Sequence, residues 1–96
     1  MAAYVIGLLR VKDWNWYREY RKVVEPLVAK HGGKYLVKGG EPSYLEGEQR
    51  PPDAVVVIEF ASSEHVARFY ADPEYAPVIA LRQGGAATEL LSVEGV

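Results

Sequence analysis

Apolar side chains follow two rhythms along this chain. Residues 2–11, AAYVIGLLRV, are apolar almost without interruption and rich in branched and aromatic types. A run of that length predicts a strand covered on both faces, at the centre of a sheet. The period then changes: Tyr17, Tyr20, Val24, Leu27 and His31 recur every three or four residues, which predicts an amphipathic helix with Asp13 as its cap. Pro26 inside it removes the bond to the carbonyl of Lys22, a defect of about 3 kcal/mol, and is expected to kink or divide the helix. Gly32 and Gly33 end it, as glycines do after a helix.

Residues 34–38, KYLVK, predict a short second strand closed by Gly39, Gly40 and Pro42, with SYLEG at 43–47 as its continuation after a bulge or turn. Residues 46–53 are loop by composition. AVVVIEFA at 54–61 is the strongest strand signal; Val56, Ile58 and Phe60 point one way and Val55, Val57 and Glu59 the other, so both faces are largely apolar. Ser62 or Ser63 caps a second helix carrying Val66, Phe69 and Tyr70, broken at Asp72 and Pro73. A last short helical piece over 73–85 is expected to be interrupted by Pro77 and closed by Gly84 and Gly85, and residues 86–96 form a final strand.

The order is strand, helix, strand, strand, helix, strand. An α+β fold satisfies it: the ferredoxin-like βαββαβ arrangement, one antiparallel sheet with its helices on one face. The other face is left bare and apolar, and a second copy of the chain is the simplest cover, as a homodimer or a higher oligomer. Ninety-six residues make one domain, spanning 1–96, whose small core gives a further reason to pair.

Composition narrows the function classes. There are no cysteines, which removes disulfides, thiolate metal sites and thiol chemistry together. The N-terminal apolar run lacks preceding positive charge and is too short to span a bilayer, so a cytoplasmic protein with no membrane partner is expected. A formal net charge of −2 gives no general attraction to nucleic acid. Aromatic and basic residues on the open sheet face, the mark of RNA-recognition sheets, are replaced here by VVVIEF, so no nucleic-acid partner is expected.

Several motifs together are specific. YREY, HGGKYLVKGG, YLEG, RPPDAVVVIEF, FYADPEY and ALRQ followed by alanines resemble, in that order and over nearly the whole chain, the family called Domain of Unknown Function 1330, within the dimeric α/β-barrel superfamily. The chain departs from the family pattern at Lys38, where arginine is more usual, at Ala61, where proline is, and at Phe69, where tryptophan is. Lysine offers a point charge rather than a planar fork, so a bidentate carboxylate clamp does not carry over to Lys38. The resemblance implies two ferredoxin-like subunits whose sheets face each other, with a cavity between sheet and helices in each. It implies no activity: the wider superfamily holds cofactor-independent monooxygenases, haem-dependent enzymes and isomerases.

Candidate chemistry follows from position. His31, in series with the apolar helix face, could act as a base near neutral pH, or serve the carbonyls at the helix end. Glu59 interrupts the apolar run of the strongest strand; it reads as a tuned acid or base, or as a structural ion pair with Arg10, Lys38, Arg50 or Arg82. His31 and Glu59 are the catalytic candidates. Tyr20, Tyr35, Lys38, Arg50, Tyr70 and Arg82 are the candidates for holding a small-molecule ligand, since tyrosines join an apolar body to a polar tip and the cations suit an anionic group. His65 follows the second helix cap and is expected in solvent. No phosphate loop and no paired-histidine metal motif is present, and no cofactor is expected. The competing reading is a non-catalytic dimerisation or accessory module whose polar groups serve packing.

Overall fold

The computed structural model describes all 96 residues. Strand β1 (Ala3–Val11) is followed by helix α1 (Tyr17–Lys30), strands β2 (Lys34–Gly39) and β3 (Ala54–Phe60), helices α2 (Ser63–Tyr70) and α3 (Ala76–Gly85), and strand β4 (Ala86–Glu94). The sheet order is β2-β3-β1-β4 with every neighbouring pair antiparallel. That is the ferredoxin-like α+β arrangement, and the unbroken apolar run of β1 is explained by its place between β3 and β4. The molecule is a slab 35 × 34 × 16 Å, thick enough for one sheet and one layer of helices.

Alternation assigns the faces. Ala3, Val5, Ile58 and Phe60 turn toward the helices and are buried with Val24, Leu27 and Val28 of α1 and Phe69 of α2. Tyr4, Ile6, Val55 and Val57 turn the other way. On that open face Val37, Leu91 and Val93 are 40 to 49% exposed.

Local details depart from the sequence reading in five places. Trp16 stands at the N-cap of α1 and gives no side-chain cap; Asp13 instead accepts from the backbone N–H of Asn15 at 3.0 Å, closing the turn before it. Pro26 does not divide α1, because it stands on the exposed side, where water can reach the carbonyl it leaves free. Pro77 does not interrupt α3 but sits in its first turn, where a missing N–H costs nothing, and the helix closes at Gly84 and Gly85. SYLEG forms no strand. Ser62 does cap α2, accepting from the backbone N–H of His65 at 3.3 Å, and its hydroxyl also meets His65 Nδ1 at 2.7 Å, so His65 is only half in solvent.

The two glycines after α1 have different jobs. Gly32 takes φ +75°, the left-handed turn that ends the helix. Gly33 has ordinary φ but no room: a Cβ there would lie 2.7 Å from the Phe60 ring and 2.8 Å from Val28.

Strand β2 carries the irregularity that matters most for the site. Tyr35 pairs with Ile58, yet Val37 pairs with Val57, so Leu36 is an extra residue, a β-bulge. In a regular strand, residues three apart face opposite sides. The bulge puts Tyr35 and Lys38 on the same side, under the helices, while Val37 stays on the open face.

Candidate functional site

A cavity of about 110 Å³ lies between the sheet and the helices. Its floor comes from β1, β3 and β4, including Gly7, Val56, Thr88 and Leu90; α1 roofs it with Tyr17, Tyr20 and Val24. Gly7 makes part of the space, since a side chain on this central strand would project into it and meet Leu90 at 3.1 Å. Trp14, Arg21, Glu25 and Lys38 complete the lining with more exposed side chains. The Lys38 ammonium lies 4.9 Å from the centre of the Tyr35 ring and pairs with Glu25, which also accepts from Arg21 at 2.9 Å. Lys38, then Arg21, hold the Glu25 carboxyl below its ordinary range.

Arg82 reaches into the lining from α3 and is 4% exposed. Its Nη1 donates to Tyr20 Oη at 2.9 Å and Tyr75 Oη at 3.0 Å, and the two phenols are 2.8 Å apart. No carboxylate faces this buried guanidinium, and its Nε has no partner; neither has Oγ1 of Thr88, buried in the same lining. Burial works against the Arg82 charge, and the two phenol oxygens more than offset it. Burial pushes the Tyr75 and Tyr35 hydroxyls far above their ordinary range, so both stay protonated at neutral pH.

Four sequence candidates thus meet here: Tyr20, Tyr35, Lys38 and Arg82. The others are elsewhere. His31 does not look into the cavity; its Nε2 lies 2.8 Å from Asp72 Oδ2, beside Lys30 Nζ at 3.0 Å from the same oxygen. Glu59 belongs to the open sheet face, where it accepts from Tyr4 Oη at 3.1 Å, and none of the four cations considered for it is its partner. The two catalytic candidates therefore stand on opposite faces of the sheet and cannot act together within one subunit. Arg50 sits in the exposed loop, bonded to Asp53 at 3.3 Å, and its carbonyl accepts from Arg10. Tyr70 is half exposed, its ring packed edge-on against the back of Tyr75.

Tyr75, Trp16 and Thr88 were not among the sequence candidates for ligand binding. Tyr75 follows a helix-breaking Asp-Pro pair and carries no periodic signal; only its tertiary bond to Arg82 marks it. No three His, Asp or Glu side chains converge at metal-ligand spacing.

The Asp72 pair has a pH signature. His31, then the backbone N–H of Glu74 and the Lys30 ammonium, hold the Asp72 carboxyl well below the ordinary carboxylate range. A depressed carboxyl stabilises the fold above the unfolded-state value of about 3.9 and loses that contribution as pH falls through the folded value. Asp72→Asn is expected to be less stable than the parent at pH 7, with the gap closing as the pH is lowered below about 3.9. Urea unfolding at several pH values measures it; a constant gap would mean that the carboxylate charge is not what the site uses.

The family described as "Domain of unknown function (DUF1330)" matches residues 2–96. No curated protein matches the sequence. Among solved structures, a protein of unknown function from Rhodopseudomonas palustris superposes with a TM-score of 0.82 at 20% identity, covering 99% of this chain and 82% of that one. A dimeric ferredoxin-like protein of unknown function from Jannaschia sp. CCS1 gives 0.78 at 10% identity, covering 99% and 100%. SnoaB, a cofactor-independent oxygenase from Streptomyces nogalater, gives 0.71 at 10% identity, covering 99% and 93%. At these identities the likeness is one of fold. No helix of the chain is long and apolar enough to cross a membrane.

Proposed function

Because the chain belongs to the Domain of Unknown Function 1330 family, for which the fold alone names no reaction, we propose from its own residues that it binds a small organic molecule in the cavity under the helices, as a homodimer. One observation carries this reading. Arg82 is a buried cation with an unused donor and no counter-charge, in a lining that is otherwise mostly apolar. Tyr20 and Tyr75 hold the guanidinium in place, but its Nε–H still lacks the acceptor that a buried donor needs. Apolar walls with a few convergent polar groups are the usual character of a ligand site.

The dimer is supported by the open sheet face and by the description of similar structures, such as the Jannaschia protein, as dimeric. An oxygenase that works without a cofactor, as SnoaB is described, is one activity the fold hosts, and fold likeness alone does not bring it here. The second reading, a dimerisation module without a ligand, is favoured by the cavity's modest size, below the roughly 150 Å³ that accommodates benzene in an engineered core.

Native mass spectrometry of the purified protein separates the two. A mass of two chains plus a retained small molecule is expected. Dimers that stay bare through soaking with small organic compounds would favour the module, and monomers would remove the sheet-to-sheet arrangement.

A further inference from the structure

The groups left unpaired in the cavity are all hydrogen-bond donors or can serve as donors. Arg82 spends Nη1 on both phenols, leaving Nε–H with nothing to donate to. Each phenol oxygen accepts from Arg82, and only one of the two can donate across their 2.8 Å separation. One phenolic hydrogen of the Tyr20–Tyr75 pair is therefore left over. Thr88 adds a hydroxyl without a partner, and Tyr35 a protonated phenol.

Charge points the same way. Of the titratable lining groups that carry charge, Arg21, Lys38 and Arg82 are cationic and only Glu25 is anionic. The lining is thus positive within a chain whose formal net charge is −2. Glu25 is already held by Lys38 and Arg21, so it does not neutralise Arg82.

A ligand that satisfies such a site must be acceptor-only where it meets Arg82, negatively charged, small, and apolar elsewhere. Carboxylate is the group that accepts on both oxygens and donates on neither. We infer that the cavity takes a small monocarboxylate with a flat apolar body, its carboxylate on the Nε side of Arg82 and its body among Tyr17, Tyr35 and Phe69. The size of the cavity sets the limit: a few carbon atoms fit inside, and anything larger projects past Trp14 and Lys38 into solvent. The inference deepens the ligand-binding reading and rests on it.

Three acids, propanoate, crotonate and benzoate, are titrated into the full-length protein by calorimetry beside their amides, against the parent and Arg82→Met. Arg82→Met keeps length and removes the charge; circular dichroism checks that it is folded, and Arg82→Lys supplies a second variant with charge but no fork. At least one acid is expected to bind the parent about tenfold or more tighter than its amide, the size of effect a charge-assisted bond gives. The preference is expected to vanish in Arg82→Met and to be partly kept in Arg82→Lys. Acid and amide binding equally well would overturn the charge inference while leaving the cavity as a ligand site. Binding of none of the six would overturn both. An acid preference unchanged in folded Arg82→Met would place the anion elsewhere.

Discussion

Phe69→Ala is expected to remove a large fraction of the stability of the domain. The side chain is 1% exposed and stands at the middle of an aromatic stack, with ring centres 5.2 Å from Phe60 and 4.8 Å from Tyr75 and the His31 ring 6.2 Å away at its edge. With Val66 it carries α2 onto the core, and its own ring also meets Tyr75 and His31 on either side of the Asp72 turn. Truncating a buried phenylalanine costs about 3–5 kcal/mol, because the removed ring leaves a hole that its neighbours fill only in part. Domains of this size are stable by about 5–15 kcal/mol, so the loss is a large fraction of the whole. Thermal unfolding followed by circular dichroism should show the midpoint fall by roughly 15–30 °C. The cavity adjoins Phe69, which gives the neighbours less to collapse onto and places the expected cost toward the upper end. A loss of less than about 1 kcal/mol would mean that α2 does not pack as described.

The second large effect concerns association. Val57 lies at the centre of the open sheet face, opposite Ile6 on β1 and Val37 on β2. In a two-fold dimer formed through that face, every residue of the patch occurs twice, so one substitution places two charges in the interface. Val57→Lys is expected to give folded monomers, with the dimer dissociation constant raised at least about a thousandfold, since an unpaired buried charge costs several kcal/mol. Sedimentation equilibrium reads this directly. The fold itself should survive, because in a single chain Val57 borders solvent and its backbone pairing is unchanged. A Val57→Lys protein that remains dimeric would move the interface to another surface.

Most of the fold could be read from the sequence because its cause is local. The alternation in AVVVIEFA assigns Val56, Ile58 and Phe60 to one face and Glu59 to the other, and the structure keeps that assignment. The same alternation keeps Glu59 out of the cavity under the helices. His31 was legible as a residue on the inner side of α1, but its partner comes from a turn that announces itself only as the end of a helix. The joint placement of Tyr35 and Lys38 depends on the bulge at Leu36, which is a matter of backbone pairing with β3 and leaves no mark in the hydrophobic pattern. Arg82 could be seen as a cation at a helix end; what makes it notable is the missing counter-charge, and that is visible only once every neighbour is in place.

The aromatic rim has a practical consequence. The chain has two tryptophans, and both line the cavity: Trp14 is 52% exposed, Trp16 is 6% exposed, and their rings stack with centres 6.1 Å apart. One indole therefore emits from a wet environment and the other from a dry one, and anything entering between them and Tyr17 changes the solvent around the first while leaving the second in place. The protein carries its own optical reporter at the one position where occupancy matters, and the red edge of its fluorescence spectrum belongs to the mouth of the cavity.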